Sequence, residues 1–257
     1  MAKELPISFT AESVRAIIDK RKNVTRRVIK NIPACYVKGR KPQSYGPDDY
    51  AFLDMADPVG TYPTLAMPRY QPGDLLWVKE SYREAACNKG FICIQYKADE
   101  QIRHGLTSQG DNGEIEAVGK ICEHGLMGGG KWKSSRFMPK WAARTWLEVV
   151  SVRPEQLQDI TEEDCWKEGI NKQEADKLPY INKWGVGCAS ATFSNLWDSI
   201  NTKPKPIYKT IDGKKQIIGY VSYPWEDVQE EREYRGKVWH VIGNPFVWRI
   251  SFKKIKK

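Results

Sequence analysis

Residues 70–80, YQPGDLLWVKE, decide how this chain folds. The Pro-Gly-Asp triplet at 72–74 favours a tight turn, because proline fixes one backbone angle and glycine adopts a positive φ freely. Residues 75–82 then carry apolar side chains on both faces, which is typical of a strand buried inside a sheet. The sequence therefore predicts a turn that leads directly into a central strand.

Further strand and helix patterns lie on both sides of this segment. Helix starts are indicated by Thr10 and Thr161, which are good N-caps, and Asp212-Gly213 is a strong hairpin signal. Residues 224–237 are polar and predict a mobile flap. The other predicted elements are strands at 5–9, 91–96, 145–152, 207–211, 216–221, 239–242 and 246–252, and helices at 11–20, 161–168 and 190–200.

This order of elements predicts an α+β fold, in which short helices flank a mainly antiparallel sheet or barrel. The regions between the elements are long and lack a sustained period. We interpret them as inserts at about 31–69, 84–135 and 203–238 in a single domain that covers residues 1–257.

The composition is that of a globular protein with a strongly basic balance. The 257 residues carry a net charge of +9, with ten Trp and twelve Tyr whose rings can fill a core or stack on bases. Such a charge favours nucleic acid as a partner, and it is equally compatible with a merely solubilising surface. Six basic residues crowd into eleven positions: Lys20, Arg21, Lys22, Arg26, Arg27 and Lys30.

Three absences in the sequence suggest a compartment. There is no signal-peptide pattern at the start and no run near the ~18 apolar residues of a membrane span. The six cysteines include no C-x-x-C pair. We therefore expect a protein with free thiols in a reducing cytoplasm, that of a bacterial host, and no membrane partner.

Two motifs suggest cofactors and are set aside. Residues 125–131 spell G-x-x-x-x-G-K, but Trp132 replaces the Ser or Thr of a phosphate-binding loop. Four potential zinc ligands have spacings that match none of the usual structural sites, so buried free thiols are the favoured interpretation. These four are Cys87, Cys93, Cys122 and His124. We expect no metal and no cofactor.

Lys22 and Thr25 form a candidate catalytic pair in KNVTRR, residues 22–27. They lie three positions apart, so one turn of irregular backbone can bring an amine and a hydroxyl together. A desolvated lysine gives up its proton more readily, and a hydroxyl beside a base is activated as a nucleophile. The same six residues are compatible with a solvated helix end. Both interpretations stay open at this point.

Several segments, in order, resemble the ASCH domain family of the PUA-like class. A Lys-x-x-Thr-x-Arg element after the first helix, a Pro-Gly-Asp turn before a strand, and a short Thr-Glu-Glu-Asp helix are similar to its motifs. The pattern resembles the long ASCH-like proteins of bacteriophages and prophages. The matching segments are residues 5–9, 22–27, 70–80, 157–169, 193–201 and 244–248.

The resemblance implies a PUA-like β-barrel and a site for a nucleobase or nucleoside. In small bacterial ASCH enzymes that hydrolyse N4-acetylcytidine, a lysine, a threonine and a glutamate form the site, and these fall on Lys22, Thr25 and Glu168. The implied roles are base, nucleophile, and a group that orients the lysine or protonates the leaving nitrogen. Substrate or nucleic-acid binding is assigned to Arg26, Arg27, Trp77, Glu80, Lys140 and Arg144.

Three functions remain in competition. The first is an amidohydrolase acting on an acylated or otherwise modified cytosine nucleoside or nucleotide. The second is a non-catalytic module that binds RNA, DNA or a modified base. The third is a phage accessory protein that binds a host protein through its inserts. A fold resemblance alone does not separate catalysis from binding.

Overall fold

A computed structural model describes residues 2–30, 43–44, 50–52, 64–87, 92–105, 121–123, 130–175 and 188–256. The chain divides into two compact units, each assembled from separate stretches of sequence. The first unit contains residues 1–23, 70–150 and 251–257, and the second contains residues 24–69 and 151–250. The prediction of a single domain over 1–257 stays a prediction.

Strands account for most of the regular structure. The described strands are β1 (Glu4–Ser8), β2 (Val24–Val28), β3 (Gln43–Ser44), β4 (Tyr50–Phe52), β5 (Thr64–Ala66), β6 (Leu75–Lys79), β7 (Tyr82–Ala86), β8 (Ile92–Tyr96), β9 (Ile102–His104), β10 (Trp146–Gln156), β11 (Lys205–Ile211), β12 (Lys214–Ser222), β13 (Gln229–Tyr234), β14 (Lys237–Ile242) and β15 (Phe246–Ile255). The described α-helices are α1 (Ala11–Ile18), α2 (Glu162–Lys167), α3 (Lys172–Ala175) and α4 (Cys188–Asn201). Short 3-10 turns lie at Ser135–Phe137, Lys140–Ala142 and Leu157–Asp159.

In the first unit the predicted central strand is confirmed. Strand β6 lies between β1, which is parallel to it, and β10, which is antiparallel to it. Leu76 and Val78 are fully buried on one face of β6, and Val14 and Ile17 of α1 are buried as well. The helix begins as predicted, because the Thr10 hydroxyl accepts a hydrogen bond from the Ser13 amide at 3.2 Å.

The Pro-Gly-Asp turn before β6 works through the buried side chain of Asp74. Its carboxylate accepts hydrogen bonds from the backbone amides of Lys3 at 3.0 Å and Gln71 at 2.9 Å. Gly73 adopts a φ of +89°, which a residue with a Cβ atom adopts only at a cost. The triplet therefore closes the turn and also fixes the chain that enters β1.

A second sheet of the first unit lies largely inside the predicted insert 84–135, and its first strand begins at Tyr82. Strands β7, β8 and β9 are antiparallel neighbours in that order. The strand expected at 91–96 is confirmed as β8, and β7 and β9 were not predicted as strands. One face of this sheet packs Tyr82, Ile94 and Tyr96 against Met138 and Ala142.

In the second unit, β10, β15 and β2 are neighbours in that order, and α2 to α4 supply a separate core. The predicted helices at 161–168 and 190–200 are confirmed as α2 and α4. Thr161 caps α2, and Gly169 follows it with a φ of +90°. The core residues of these helices and their surroundings are Leu157, Cys165, Ile170, Ala175, Ala189, Phe193, Trp197 and Val247.

The predicted insert 203–238 is a sheet with the strand order β11-β12-β14-β13. The hairpin at Asp212-Gly213 is confirmed, since both residues have a positive φ, 49° and 73°. The flap predicted at 224–237 is wrong for residues 229–234, which form β13. Arg235 and Gly236, with φ of 52° and 68°, make a second two-residue turn that the polar sequence concealed.

The described residues thus form a β-rich α+β protein, and no closed barrel is found among them. Within the same ranges, no helix has the length and hydropathy needed to cross a membrane. Of the insert predicted at 31–69, only β3, β4, β5 and residues 67–69 are described. His124 and most of the glycine-rich stretch 125–131 lie outside the described residues.

Candidate functional site

Lys22 is buried in the first unit, just after α1. Its backbone amide donates to the carbonyl of Ala16 at 2.9 Å, which holds the chain as it leaves the helix. The residue is only 5% exposed, and its ammonium lies 5.8 Å from the centre of the Phe9 ring. A lysine at this burial is unusual, because lysine is among the residue types least often buried.

Thr25 and Arg26 are adjacent on β2 in the second unit, and both are 5% exposed. Successive side chains of a strand leave on opposite faces, so these two point to different sides of β2. Arg27 is exposed. The basic segment is therefore split between interior and surface, so the alternative of a fully solvated run does not hold for it.

The Arg26 guanidinium is the centre of a buried ionic cluster. It contacts Glu155 at 2.6 Å, Asp164 at 2.9 Å and Glu168 at 3.1 Å, and its side chain is 1% exposed. The ring of Phe193 lies 6.0 Å from the guanidinium carbon. Charged hydrogen bonds to a planar guanidinium fix the orientation of each carboxylate.

Asp164 joins Arg26 to a second arginine. Arg249 donates to the two oxygens of Asp164 at 2.7 and 2.8 Å, which is the bidentate geometry. These bonds, together with those from Arg26, hold the pKa of Asp164 well below its ordinary value despite burial. The same pairing raises the pKa of Arg249. Both groups therefore stay charged across the neutral range.

Glu168 is 7% exposed and stands at the C-cap of α2. Its backbone amide donates to the carbonyl of Asp164 at 2.9 Å, and Arg26 holds its carboxylate. A carboxylate at a helix C-terminus faces the negative end of the helix dipole, and the Arg26 contact offsets that cost. The structure thus brings Glu168 and the predicted binding residue Arg26 together inside the second unit.

Glu80 and Arg144, two further predicted binding residues, pair inside the first unit. Their two parallel hydrogen bonds measure 2.9 Å each, and their side chains are 1% and 3% exposed. Arg144 also contacts Asp99 at 2.7 Å and lies 4.1 Å from the centre of the Tyr96 ring. Burial raises the pKa of Glu80, although Arg144 opposes that shift. A ligand contact by either residue stays a prediction.

Trp77 lies in a half-buried aromatic and basic patch of the first unit. It pairs across the sheet with Trp146, so both rings project from the same face. The ammonium of Lys79 lies 5.4 Å from the Trp77 ring, and that of Lys140 lies 5.9 Å from the Trp146 ring. Lys140 also contacts Glu4 at 2.5 Å. This tryptophan pair offers flat ring surface beside positive charge.

A groove of about 910 Å³ in the second unit was missed by the sequence reasoning. Lys30, Lys205 and Lys215 line it together with Tyr208, and Glu230 and Glu231 line it as well. The Lys215 ammonium lies 4.3 Å from the Tyr208 ring. Burial, together with Lys30, lowers the pKa of Lys205. The groove therefore presents cations, carboxylates and a tyrosine ring to a ligand.

Three of the six cysteines converge, contrary to the reasoning from their spacing. The sulfur atoms of Cys87, Cys93 and Cys122 all lie within 4.8 Å of one another, and all three residues are buried. The Nδ1 atom of His104 lies 3.7 Å from the sulfur atom of Cys93, and His124 lies outside the described residues. Of the groups in the described residues, this cluster is the one suited to a metal ion.

Comparison with protein-family models, with characterised proteins and with solved structures finds no match for this chain.

Proposed function

We propose that this chain is an ASCH-like, PUA-type protein that acts on an acylated or modified cytosine nucleoside or nucleotide by amide hydrolysis. The observation that carries the proposal is the burial of its three reacting residues, Lys22, Thr25 and Glu168, at 5%, 5% and 7% exposure. Lysine and glutamate are seldom buried unless they are paired or have a chemical role.

The proposed reaction has two stages, transfer of the acyl group to Thr25 and hydrolysis of the resulting ester. Thr25 Oγ attacks the acyl carbon, and Lys22 Nζ takes the hydroxyl proton. That proton passes to the cytosine N4 nitrogen, which leaves as the free amine while the acyl group stays on Thr25. Water then hydrolyses the ester and releases the carboxylic acid. Glu168 is assigned the transfer of the Thr25 proton to the leaving nitrogen, and Arg26 acts as a positioning residue that holds Glu168 at 3.1 Å.

The test is turnover of N4-acetylcytidine and its deoxy counterpart, followed by release of cytidine and acetate. Thr25→Val removes the hydroxyl at nearly constant volume, and Thr25→Ser keeps it. Lys22→Ala and Glu168→Gln complete the set. We expect kcat/KM to fall by about 10²–10⁴-fold in Thr25→Val, Lys22→Ala and Glu168→Gln. Thr25→Ser should keep measurable activity.

The matched control for Glu168→Gln is Glu163→Gln, an exposed carboxylate on the same helix that pairs with Lys167 across one turn. It should leave kcat/KM unchanged. Absence of turnover by the unaltered protein, or equal rates in Thr25→Val and the unaltered protein, contradicts the catalytic assignment.

A second function, nucleotide or nucleic-acid binding without chemistry, is favoured by the groove of the second unit. Its lysines suit phosphate, the Tyr208 ring suits stacking on a base, and the carboxylates of Glu230 and Glu231 suit an exocyclic amine such as cytosine N4. The net charge of +9 adds long-range attraction.

This function is tested by the anisotropy of labelled single-stranded and duplex oligonucleotides over a salt series. The logarithm of affinity should fall linearly with the logarithm of salt concentration, by about 0.7–0.9 for each phosphate contact. Lys215→Ala should weaken binding and make the slope shallower, whereas its neighbour Lys214→Ala, which does not line the groove, should not. Salt-independent binding, or equal effects of the two variants, rules out the groove.

A further inference from the structure

Four potential metal ligands share one face of the β7-β8-β9 sheet. Cys93 and His104 are direct partners across β8 and β9. Ala85 is the partner of Cys93 on β7, and Cys87 follows Ala85 by two residues, which returns its side chain to the same face. Strand register, rather than sequence spacing, therefore groups these side chains.

Cys122 joins the same face from the far side of β9. Its backbone amide donates to the carbonyl of Ile102 at 2.9 Å, and the preceding Ile121 bridges to Arg103. This pairing places Cys122 opposite Ile102, which is two residues from His104 and so on the same face. The ligands thus come from β7, β8, β9 and the segment 121–123.

The three sulfur atoms lie close enough together to bind one tetrahedral ion, and His104 contacts one of them. Cys93 Sγ lies 3.7 Å from His104 Nδ1, and the three sulfur atoms lie within 4.8 Å of one another. In a tetrahedral zinc site with Zn–S near 2.3 Å and Zn–N near 2.0 Å, neighbouring ligand atoms are ~3.5–3.8 Å apart. Small side-chain rotations bring the sulfur atoms to that separation.

Among the described residues, little other apolar side chain packs on the buried cluster. Cys87 and Cys93 are 0% exposed, His104 is 3% exposed and Cys122 is 5% exposed. Ile102 is the partly buried hydrophobic residue found against them. The opposite face of the same sheet, by contrast, is packed with tyrosine, isoleucine and methionine side chains. A metal ion would supply the cohesion that so small an apolar cluster lacks.

We propose that Cys87, Cys93, Cys122 and His104 bind one Zn²⁺ in a closed structural site. Three cysteines and one histidine are a standard ligand set for structural zinc, and four protein ligands leave no position open for a substrate. Binding releases one proton from each of the three thiols, which leaves three thiolates, a neutral imidazole and a net site charge of −1. The ion would cross-link β8, β9, the residue that follows β7 and the segment 121–123.

This site is independent of the proposed activity, and its test reads metal content rather than turnover. We expect the purified full chain to contain one zinc per molecule by elemental analysis, and to release it when the thiols are modified. Cys93→Ser and Cys122→Ser should each reduce zinc to well below one per chain. The matched control is Cys165→Ser, because Cys165 is equally buried but lies in the apolar core of α2 and should not affect zinc.

A second measurement keeps the test valid if a serine variant fails to fold. The unaltered chain, stripped of zinc and reloaded with Co²⁺, should show the intense visible absorption of a tetrahedral cobalt–thiolate site. His104→Ala should weaken zinc binding by more than the roughly 10–100-fold that loss of an outer-shell partner costs. His124→Ala should leave it unchanged.

Two results would overturn the proposal. The first is a chain that carries no zinc, takes up no Co²⁺ in a tetrahedral site and shows all six thiols reactive in the folded state. The second is a disulfide between two of the three clustered cysteines in protein purified under reducing conditions. A loss of zinc in His124→Ala but not in His104→Ala would show that His124, and not His104, is the fourth ligand.

Discussion

The carboxylate of Asp164 holds two arginines together inside the second unit, and its removal should be costly. Asp164→Asn keeps the shape of the side chain and removes its charge, which leaves Arg26 and Arg249 without a shared partner. Breaking a buried ion pair by removing one partner costs about 3–5 kcal/mol. We expect the free energy of unfolding, measured with urea, to fall by about 3 kcal/mol, at the low end of that range.

Asp159→Asn is the control for this residue, since the same substitution is made at an exposed position close by in the chain. Surface changes away from special contacts are usually within about 0.5 kcal/mol. If the two variants unfold at the same urea concentration with the same slope, the ionic cluster contributes nothing measurable to stability.

At the scale of elements, α4 depends on a carboxylate supplied by α2. Glu162 accepts hydrogen bonds from the backbone amides of Ala189 and Ser190 at 3.1 and 3.2 Å. These amides belong to the first turn of α4, where no carbonyl of the helix can satisfy them and where negative charge is favoured by the helix dipole. Glu162→Ala should therefore lower the free energy of unfolding by about 1–2 kcal/mol.

The adjacent Glu163→Ala is the matched control, because the Glu163 side chain is 77% exposed and pairs with Lys167 across one turn. Its cost should be within about 0.5 kcal/mol. Hydrogen exchange should also accelerate at Ala189 and Ser190 in Glu162→Ala alone. Equal exchange in both variants would show that the carboxylate does not cap α4.

The elements that the sequence predicted correctly are those with a strong local signal. Thr10 and Thr161 are caps, Gly73 and Gly213 require positive φ, and each of these signals lies within a few residues of the element it starts or ends. Strands β7, β9 and β13 were missed because they are short or polar. Their pairing comes from partners along the sheet rather than from their own composition.

The candidate site residues likewise divide into those with a local sequence signal and those whose contacts depend on distant parts of the chain. The catalytic roles of Lys22, Thr25 and Glu168 stay predictions from sequence resemblance. The partners of Arg26 come from positions up to 142 residues away, which no local pattern indicates. Asp164 was noticed only as part of the Thr-Glu-Glu-Asp motif, and no local pattern indicated its pairing with Arg249. Cys87 and Cys93 match no zinc spacing, because their grouping with His104 depends on strand register, which no spacing rule describes.

For the whole molecule, the depressed pKa values of Asp164 and Asp99 predict sensitivity to acid. Hydrogen bonds from Arg249 and Arg26 lower the first, and the hydrogen bond from Arg144 lowers the second against the effect of burial. A carboxyl group with a lowered folded-state pKa adds stability above its unfolded pKa, about 3.9, and loses it as the pH falls through the folded value. The free energy of unfolding should decline below about pH 4.

Urea unfolding at pH 7, 5, 4, 3 and 2.5 measures this decline, which should be shallower in Asp164→Asn. The contribution of Glu80 to the free energy of unfolding changes with pH in the opposite direction, because burial raises its pKa. Its contribution is fully present below its unfolded pKa and is lost as the pH rises through the folded value. Identical acid slopes in Asp164→Asn and the unaltered chain would contradict the assignment to Asp164.

The parallel pairing of β1 with β6 also sets an order of events during synthesis. The two strands are far apart in the sequence. The Lys3 amide and the Asp74 carboxylate, which are hydrogen-bonded, are separated by 71 residues along the chain. A ribosome that adds ~5–20 residues each second completes β6 roughly 4–14 s after β1. The hairpins β11–β12 and β13–β14 close within ~1–10 μs of their completion. Strand β1 therefore spends seconds without its partner on the nascent chain, where a chaperone has time to bind it.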